Sequence, residues 1–223
     1  MKINADFGAR VAVHAARIDW VPSPVKGVER KMLDRIGEEV ARATSIVRYA
    51  PGSRFSAHTH DGGEEFLVLD GVFQDEHGDF AAGSYVRNPP ESHHAPGSVP
   101  GCTIFVKLRQ FEPEDRRQLA IDAGVVQLQP VTQRPGVAAA VIFQDTCETV
   151  RIERWAPGAH VVTAPVGGLE ILCLEGSFLE GGETFTARSW LRLPLGASLD
   201  AVAGAEGCRI WVKEGHLRFV EDN

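Results

Sequence analysis

Three histidines and a glutamate stand at spacings that suit a metal ion. Within the run from Gly52 to Gly71, His58 and His60 are two residues apart, so on a strand both imidazoles project from one face. Asp61-Gly62-Gly63 follows as tight-turn material. A reversal there brings a carboxylate of the next stretch, Glu64 or Glu65, alongside. A further imidazole is available from His93-His94, which lies beyond Gly83 and Pro89. Imidazole nitrogens and a carboxylate oxygen on neighbouring strands make a site for a divalent transition metal. Four such donors around tetrahedral zinc close the shell, the structural pattern. The same four around octahedral iron, manganese or nickel leave two positions free for substrate and dioxygen.

The elements that must position these side chains read as strands. Thr44–Tyr49, Glu65–Leu69, Ser84–Arg87 and Thr103–Lys107 are short, rich in β-branched and aromatic residues, and bounded by Gly and Pro. Only Val28 to Val40 carries a helical hint, weakened by Gly27 and Gly37. The chain also repeats itself. Tyr49-Ala50-Pro51-Gly52 returns as Trp155-Ala156-Pro157-Gly158, and Gly101-Cys102 with Ile104 and Val106-Lys107 returns as Gly207-Cys208 with Ile210 and Val212-Lys213. Gly71/Gly176, Phe73/Phe178, Arg87/Arg192 and Pro89/Pro194 pair between these anchors, and Trp20-Val21-Pro22 faces Leu128-Gln129-Pro130. The 223 residues are therefore expected to form two copies of one unit, 1–112 and 113–223, with a charged seam near Phe111 to Arg116. Many short antiparallel strands at this spacing predict an all-β sandwich or barrel.

The His58 segment resembles the first motif of the cupin superfamily, and Gly52, His58, His60, Glu64 and Gly71 fit each of its spacings. Gly83, Pro89 and His94 fit the second motif. Glu91 stands where that pattern has a glycine, and its following Asn is absent, which leaves the geometry of that turn open. The pattern selects Glu64 over Glu65 and His94 over His93. Across the first copy, the runs from His58 to Phe80 and from Arg87 to His94 are similar to the cupin-like domain of ChrR, a zinc-binding anti-sigma factor. This resemblance implies tandem jelly-roll barrels (a bicupin) and a metal held by His58, His60, Glu64 and His94. It implies one divalent metal per chain, zinc first, with iron, manganese or nickel as alternatives. It also implies a regulatory or ligand-sensing role with a sigma factor as partner. ChrR carries an additional helical domain with its own His/Cys zinc site, and no H-x3-C-x2-C run occurs here, so the expectation is a regulator lacking that sigma-binding part. Similar cupins also include Fe(II)-dependent dioxygenases that cleave diketones or hydroxyketones, the alternative reading.

The second copy is expected to be empty of metal. Ala164, Val166 and Leu199 stand where His58, His60 and His94 would fall, and Glu170 is the one carboxylate left, aligned with Glu64 or Glu65. His14, His77, His160 and His216 read as surface or turn residues. Arg48, Arg54, Arg87, Tyr85 and Phe105 lie on or beside barrel strands, where they could orient an anionic or aromatic ligand. Cys102, Cys147, Cys173 and Cys208 form no C-x-x-C pair and read as small buried hydrophobes. A net charge of -7 argues against a nucleic-acid partner. The longest apolar stretch, Val137 to Phe143, falls far short of the about 20 residues that span a bilayer. With no secretory signal at its start, the chain is expected in the cytoplasm. A homodimer and a small-molecule ligand complete the expected partners. There is no G-x-S-x-G elbow and no phosphate-binding glycine loop.

Overall fold

The computed structural model describes residues 1–220 and is built almost wholly from antiparallel strands, with two short 3-10 turns at Ala15–Arg17 and His216–Phe219. It divides into two compact units, one comprising Met1–Ala5 and Asp19–Val125, the other Asp6–Ile18 and from Val126 onward.

In the first unit the main sheet runs, neighbour to neighbour, through Lys2–Ile3, Val28–Gly37, Ala41–Tyr49, Cys102–Leu108, Glu64–Asp75, Ser84–Asn88 and Leu119–Asp122. Alternation along the central strands turns Phe66, Val68, Ile104 and Val106 inward, where they pack with Tyr49, Phe73 and Val86 as one apolar core. The long Glu64–Asp75 strand bends at a register shift and reaches Gly71, whose φ is 72°. A Cβ on Gly71 would lie 2.1 Å from the Gly101 carbonyl, so a side chain cannot be accommodated there. Gly176 repeats this feature at φ 69°, with the Gly207 carbonyl at the same 2.1 Å.

The second unit has the matching sheet: Gln129–Pro130, Val137–Gln144, Thr149–Trp155, Leu199–Glu214, Leu169–Glu180, Ser189–Leu193 and Val11–His14. Its apolar core gathers Trp155, Phe178, Phe185, Leu191 and Ile210, all at 1% exposure or less. Tandem all-β units are as expected from the repeat.

Two expectations are corrected. Val28–Gly37 is a strand, antiparallel to Ala41–Tyr49, despite its run of good helix formers. Pairing with a neighbour overrides propensity here, and a β-bulge between Met32 and Asp34 disguises the two-residue alternation as a helix-like pattern. The division at 112/113 also shifts. Residues 6–18 fall in the second unit, because Val11–His14 pairs with Ser189–Leu193; residues 113–125 fall in the first, because Leu119–Asp122 pairs with Ser84–Asn88. The spacing that separates Trp20 from Leu128 also separates Val11 from Leu119, so the leader of each sequence copy completes the other copy's unit. Cys102, Cys173 and Cys208 are free and buried, and burial raises their thiols to about 11, 12 and 12; Cys147 is free and half-buried. Among the described residues no helix is long and apolar enough to cross a membrane.

Candidate metal centre

His58 and His94 sit opposite one another in a two-strand ladder, His58–Thr59 against His93–His94. His60 follows directly, its backbone N–H donating to the Ser92 carbonyl at 2.9 Å and its carbonyl accepting from Glu91 at 2.9 Å. The three rings face each other at centroid separations of 5.0 Å (His58–His60), 5.1 Å (His58–His94) and 4.7 Å (His60–His94). One nitrogen from each lies within 4.8 Å of the other two, an array that could hold a metal ion.

The turn at Asp61–Gly63 then returns the chain into the Glu64–Asp75 strand. Gly63 has φ 77°, and a Cβ there would strike the Phe111 ring at 2.4 Å. This puts the Glu64 carboxylate against the imidazoles, with Oε2 3.6 Å from His60 Nε2 and 3.4 Å from His94 Nε2. Asn88 Nδ2 donates to the same carboxylate at 3.3 Å. Glu65, one residue on, points the other way and accepts from Tyr85 Oη at 2.8 Å and Arg87 at 2.7 Å. Likewise His94 is buried at 1% exposure while His93 is exposed.

The hydrogen bonds fix which nitrogens face the centre. His58 Nδ1 lies 3.0 Å from the Ser56 carbonyl and His94 Nδ1 3.0 Å from Asp75 Oδ2, both acceptors. Each Nδ1 therefore carries the proton and each Nε2 presents a lone pair. Nε2 of His60 and of His94 is buried with no hydrogen-bond partner. Buried nitrogens left without partners are costly unless a ligand meets them, and neutral imidazole beside a carboxylate is a donor set suited to a divalent transition metal. The residues fit the metal. Burial holds His60 below the usual histidine range. Burial also pulls on His94, but the Asp75 hydrogen bond and the Glu64 charge outweigh it and leave His94 raised.

Glu91, which stands in the motif's glycine position, has φ 73°, so the turn keeps a left-handed conformation although a glycine is absent. Its carboxylate is met by Arg116 at 2.8 Å.

A cavity of about 410 Å³ in the first unit opens onto this centre. His58, His60 and Glu64 line one part, and Val28, Val47, Tyr49, Phe55, Ile104 and Val106 supply apolar wall. Tyr49 is 7% exposed and its hydroxyl has no hydrogen-bond partner among the described residues; burial first, then the nearby Glu64, raises its pKa well above the usual phenol. Arg30 and Arg35 also line this space. None of Arg48, Arg54, Arg87, Tyr85 or Phe105 does. Arg87 and Tyr85 are committed to Glu65, Arg48 pairs with Glu29 and stacks on Trp20, and Phe105 is buried. Tyr49, Arg30 and Arg35 were missed by sequence reasoning. The alternation of Tyr49 with Val47 was the one available signal; for Arg35 the bulge removed it.

The second unit lacks the donors. Leu199 pairs with Thr163 as His94 pairs with His58, so Thr163, not Ala164, replaces His58. The same spacing puts Pro165 in place of His60, and Val166 is an exposed residue. Glu170 pairs with Arg192 as Glu65 pairs with Arg87, which aligns it with Glu65; Leu169 replaces Glu64. Glu170 is fully buried and accepts from Trp190 Nε1 at 3.3 Å, with His216 Nε2 at 2.9 Å. His216 is thus a buried histidine paired with a buried carboxylate, contrary to the surface role expected of it. His14 is half-buried between Ser189 and Glu183, each at 3.2 Å; His77 and His160 are exposed.

Residues 8–112 match a family model described as the ChrR cupin-like domain. No curated protein matches the chain. Among solved structures it is similar to a protein provisionally named as glyoxylate-induced, from Pseudomonas aeruginosa (TM-score 0.72, 14% identity, 96% of this chain and 92% of that one). It is also similar to a protein of Nostoc punctiforme provisionally assigned as a dioxygenase (TM-score 0.71, 14% identity, 96% and 81%). A third is a bacterial pirin of Escherichia coli in complex with nickel(II) (TM-score 0.65, 12% identity, 92% and 98%).

Proposed function

Because residues 8–112 match the ChrR cupin-like family model, we propose that the first unit is a metal-dependent enzyme acting on a small oxygenated molecule. The metal is held by His58, His60, His94 and Glu64. The observation that carries this reading is the cavity, about 410 Å³, that leads to the histidines. A purely structural zinc has no use for such an approach, whereas a small-molecule site of 300–1,000 Å³ is typical of enzymes.

A bound divalent metal supplies Lewis-acid or redox chemistry at the inner end of the cavity. The chain's own residues do the rest. The apolar wall excludes water and strengthens polar contacts within. Asp75 holds His94 in one tautomer and Ser56 does so for His58. Glu64 faces the cavity beside the His60 and His94 imidazoles. The Tyr49 hydroxyl, kept protonated by burial, can donate a hydrogen bond to a ligand carbonyl. The reaction class proposed is dioxygenolytic cleavage of a diketone or hydroxyketone, in which the carbon–carbon bond breaks and both atoms of O2 end in the two fragments. The likeness to the Nostoc protein supports a dioxygenase, and the nickel in the pirin supports a metal other than zinc.

A second reading, a zinc-binding sensor reporting to a regulatory partner such as a sigma factor, is favoured by the match of residues 8–112 to the ChrR cupin-like model. Metal analysis of protein purified without chelator, followed by oxygen uptake with a 1,3-diketone, decides between them. One iron, manganese or nickel per chain with oxygen uptake supports the enzyme. One tightly held zinc and no uptake with any reloaded metal supports the sensor.

A further inference from the structure

The wall of the cavity carries a cation that the metal site does not explain. Arg35 lies on the Val28–Gly37 strand and is 4% exposed, yet no carboxylate oxygen lies within 4 Å of it among the described residues. Its two hydrogen bonds go to backbone carbonyls, those of Glu38 and, at 3.4 Å, Glu39. Buried arginines are ordinarily paired with an acid. Arg30, on the same strand, pairs with Glu39 at 3.0 Å but keeps its Nε buried and unpartnered.

The strand is bent to bring both groups to one face. Arg30 sits opposite Val47 and Arg35 opposite Ala43. In an unbroken strand residues 30 and 35 would face opposite ways. The bulge between Met32 and Asp34 inserts the extra residue that puts both toward the barrel interior. Reading across the sheet, Arg35 pairs with Ala43, Ala43 with Leu108, and Leu108 with Glu64. Arg35 therefore stands level with the glutamate of the metal centre, three strands away. Between them the cavity wall is apolar, through Val47, Ile104, Val106 and Leu108.

We propose that the substrate is an organic monocarboxylate, a keto or hydroxy acid with an apolar body. Its carboxylate is taken by Arg35, assisted by Arg30, and its carbonyl or hydroxyl end lies at the His58–His60–His94–Glu64 centre. This rests on the enzyme reading above and narrows its substrate class. A guanidinium forks onto a carboxylate with two parallel hydrogen bonds. A site built around a buried charge rejects analogues that leave the charge unpaired. Burial first, then the like charge of Arg30, holds Arg35 below the usual arginine range, against the opposing charges of Glu39 and Glu38.

The test uses metal-loaded protein and a matched pair of probes, 4-(3-oxobutanoyl)benzoate and its methyl ester, which hold a carboxylate and a 1,3-diketone at opposite ends of an apolar ring, with binding measured by calorimetry. The acid is expected to bind about 10- to 100-fold more tightly than the ester. In Arg35→Gln that ratio should fall toward one with metal content unchanged, and Arg35→Lys, which keeps the charge without the fork, should fall between. A structural role for Arg35 would weaken both probes together and leave the ratio intact. Equal binding of acid and ester by the unmodified protein, absence of binding by either, or an unchanged ratio in Arg35→Gln overturns the proposal. Failure of the enzyme reading is seen separately, as loss of oxygen uptake in protein that still distinguishes acid from ester.

Discussion

His58 and His94 each spend one ring nitrogen on a backbone or carboxylate acceptor and turn the other toward the same point. These donors were legible because a metal site constrains residue type and spacing together, and Leu199 and Leu169 in the second copy show what the fold requires when no metal is held. His58→Ala should therefore reduce metal content from one per chain to near zero by elemental analysis. Leu199→Ala, 2% exposed in an apolar core, should leave metal content unchanged but cost about 2–5 kcal/mol of stability. Buried charge also sets the acid limit of the second unit. Glu153, 1% exposed, is held below the usual carboxylate range: burial opposes ionisation, but Arg134 and Arg151 outweigh it. A depressed carboxylate contributes stability that is complete above its unfolded pKa of about 4.3 and is lost as pH falls through the folded value. The urea midpoint should thus drop as pH is lowered from about 5 to 3. Glu153→Gln should be less stable at pH 7 and show a shallower drop; an equal drop in both proteins would remove Glu153 as its source.

At the level of elements, turns and bulges aim the side chains, and these were only partly legible. The strand pattern of the central sheet could be read because alternation survives in Glu64–Asp75 and Cys102–Leu108. It failed in Val28–Gly37, where one inserted residue breaks the period and hides Arg35. It failed again at Thr163, since the two copies differ in length between Gly52 and His58, and only strand pairing reveals the register. The turn before His94 shows the opposite, a conformation retained against its residue. Glu91 at φ 73° bears a strain of about 1 kcal/mol that glycine would not. The Arg116 contact it would lose is exposed and worth little. Glu91→Gly should accordingly raise thermal stability by up to about 1 kcal/mol while metal content stays the same. A marked fall in melting temperature would show the Arg116 pair to be more than a surface contact.

At the scale of the whole molecule, the repeat announced two units, but the exchange of their leaders carries no local signal. Val11–His14 and Leu119–Asp122 read simply as strands, and nothing in either says which sheet edge it will complete. A chain cut between 112 and 113 separates neither unit cleanly. Expressed alone, 1–112 should lack the cover that Leu119–Asp122 gives to Ser84–Asn88 and should aggregate through that open edge. Fragment 19–125, which keeps that strand, should remain more soluble on gel filtration; equal behaviour of the two would count against the exchange.

The exchange also puts a schedule on synthesis. The ribosome delivers Val11–His14 first and its partner Ser189–Leu193 only after residues 15–188 have been made. At 5–20 residues per second that is a wait of roughly 10–40 s. During this interval the first unit can acquire all its pairings, those of Lys2–Ile3 with Arg35–Ile36 included, while the second has its opening strand and nothing to pair it with. The first unit is thus the one the cell completes first, and Val11–His14 is the stretch that must be kept from the wrong partner until Ser189–Leu193 has emerged.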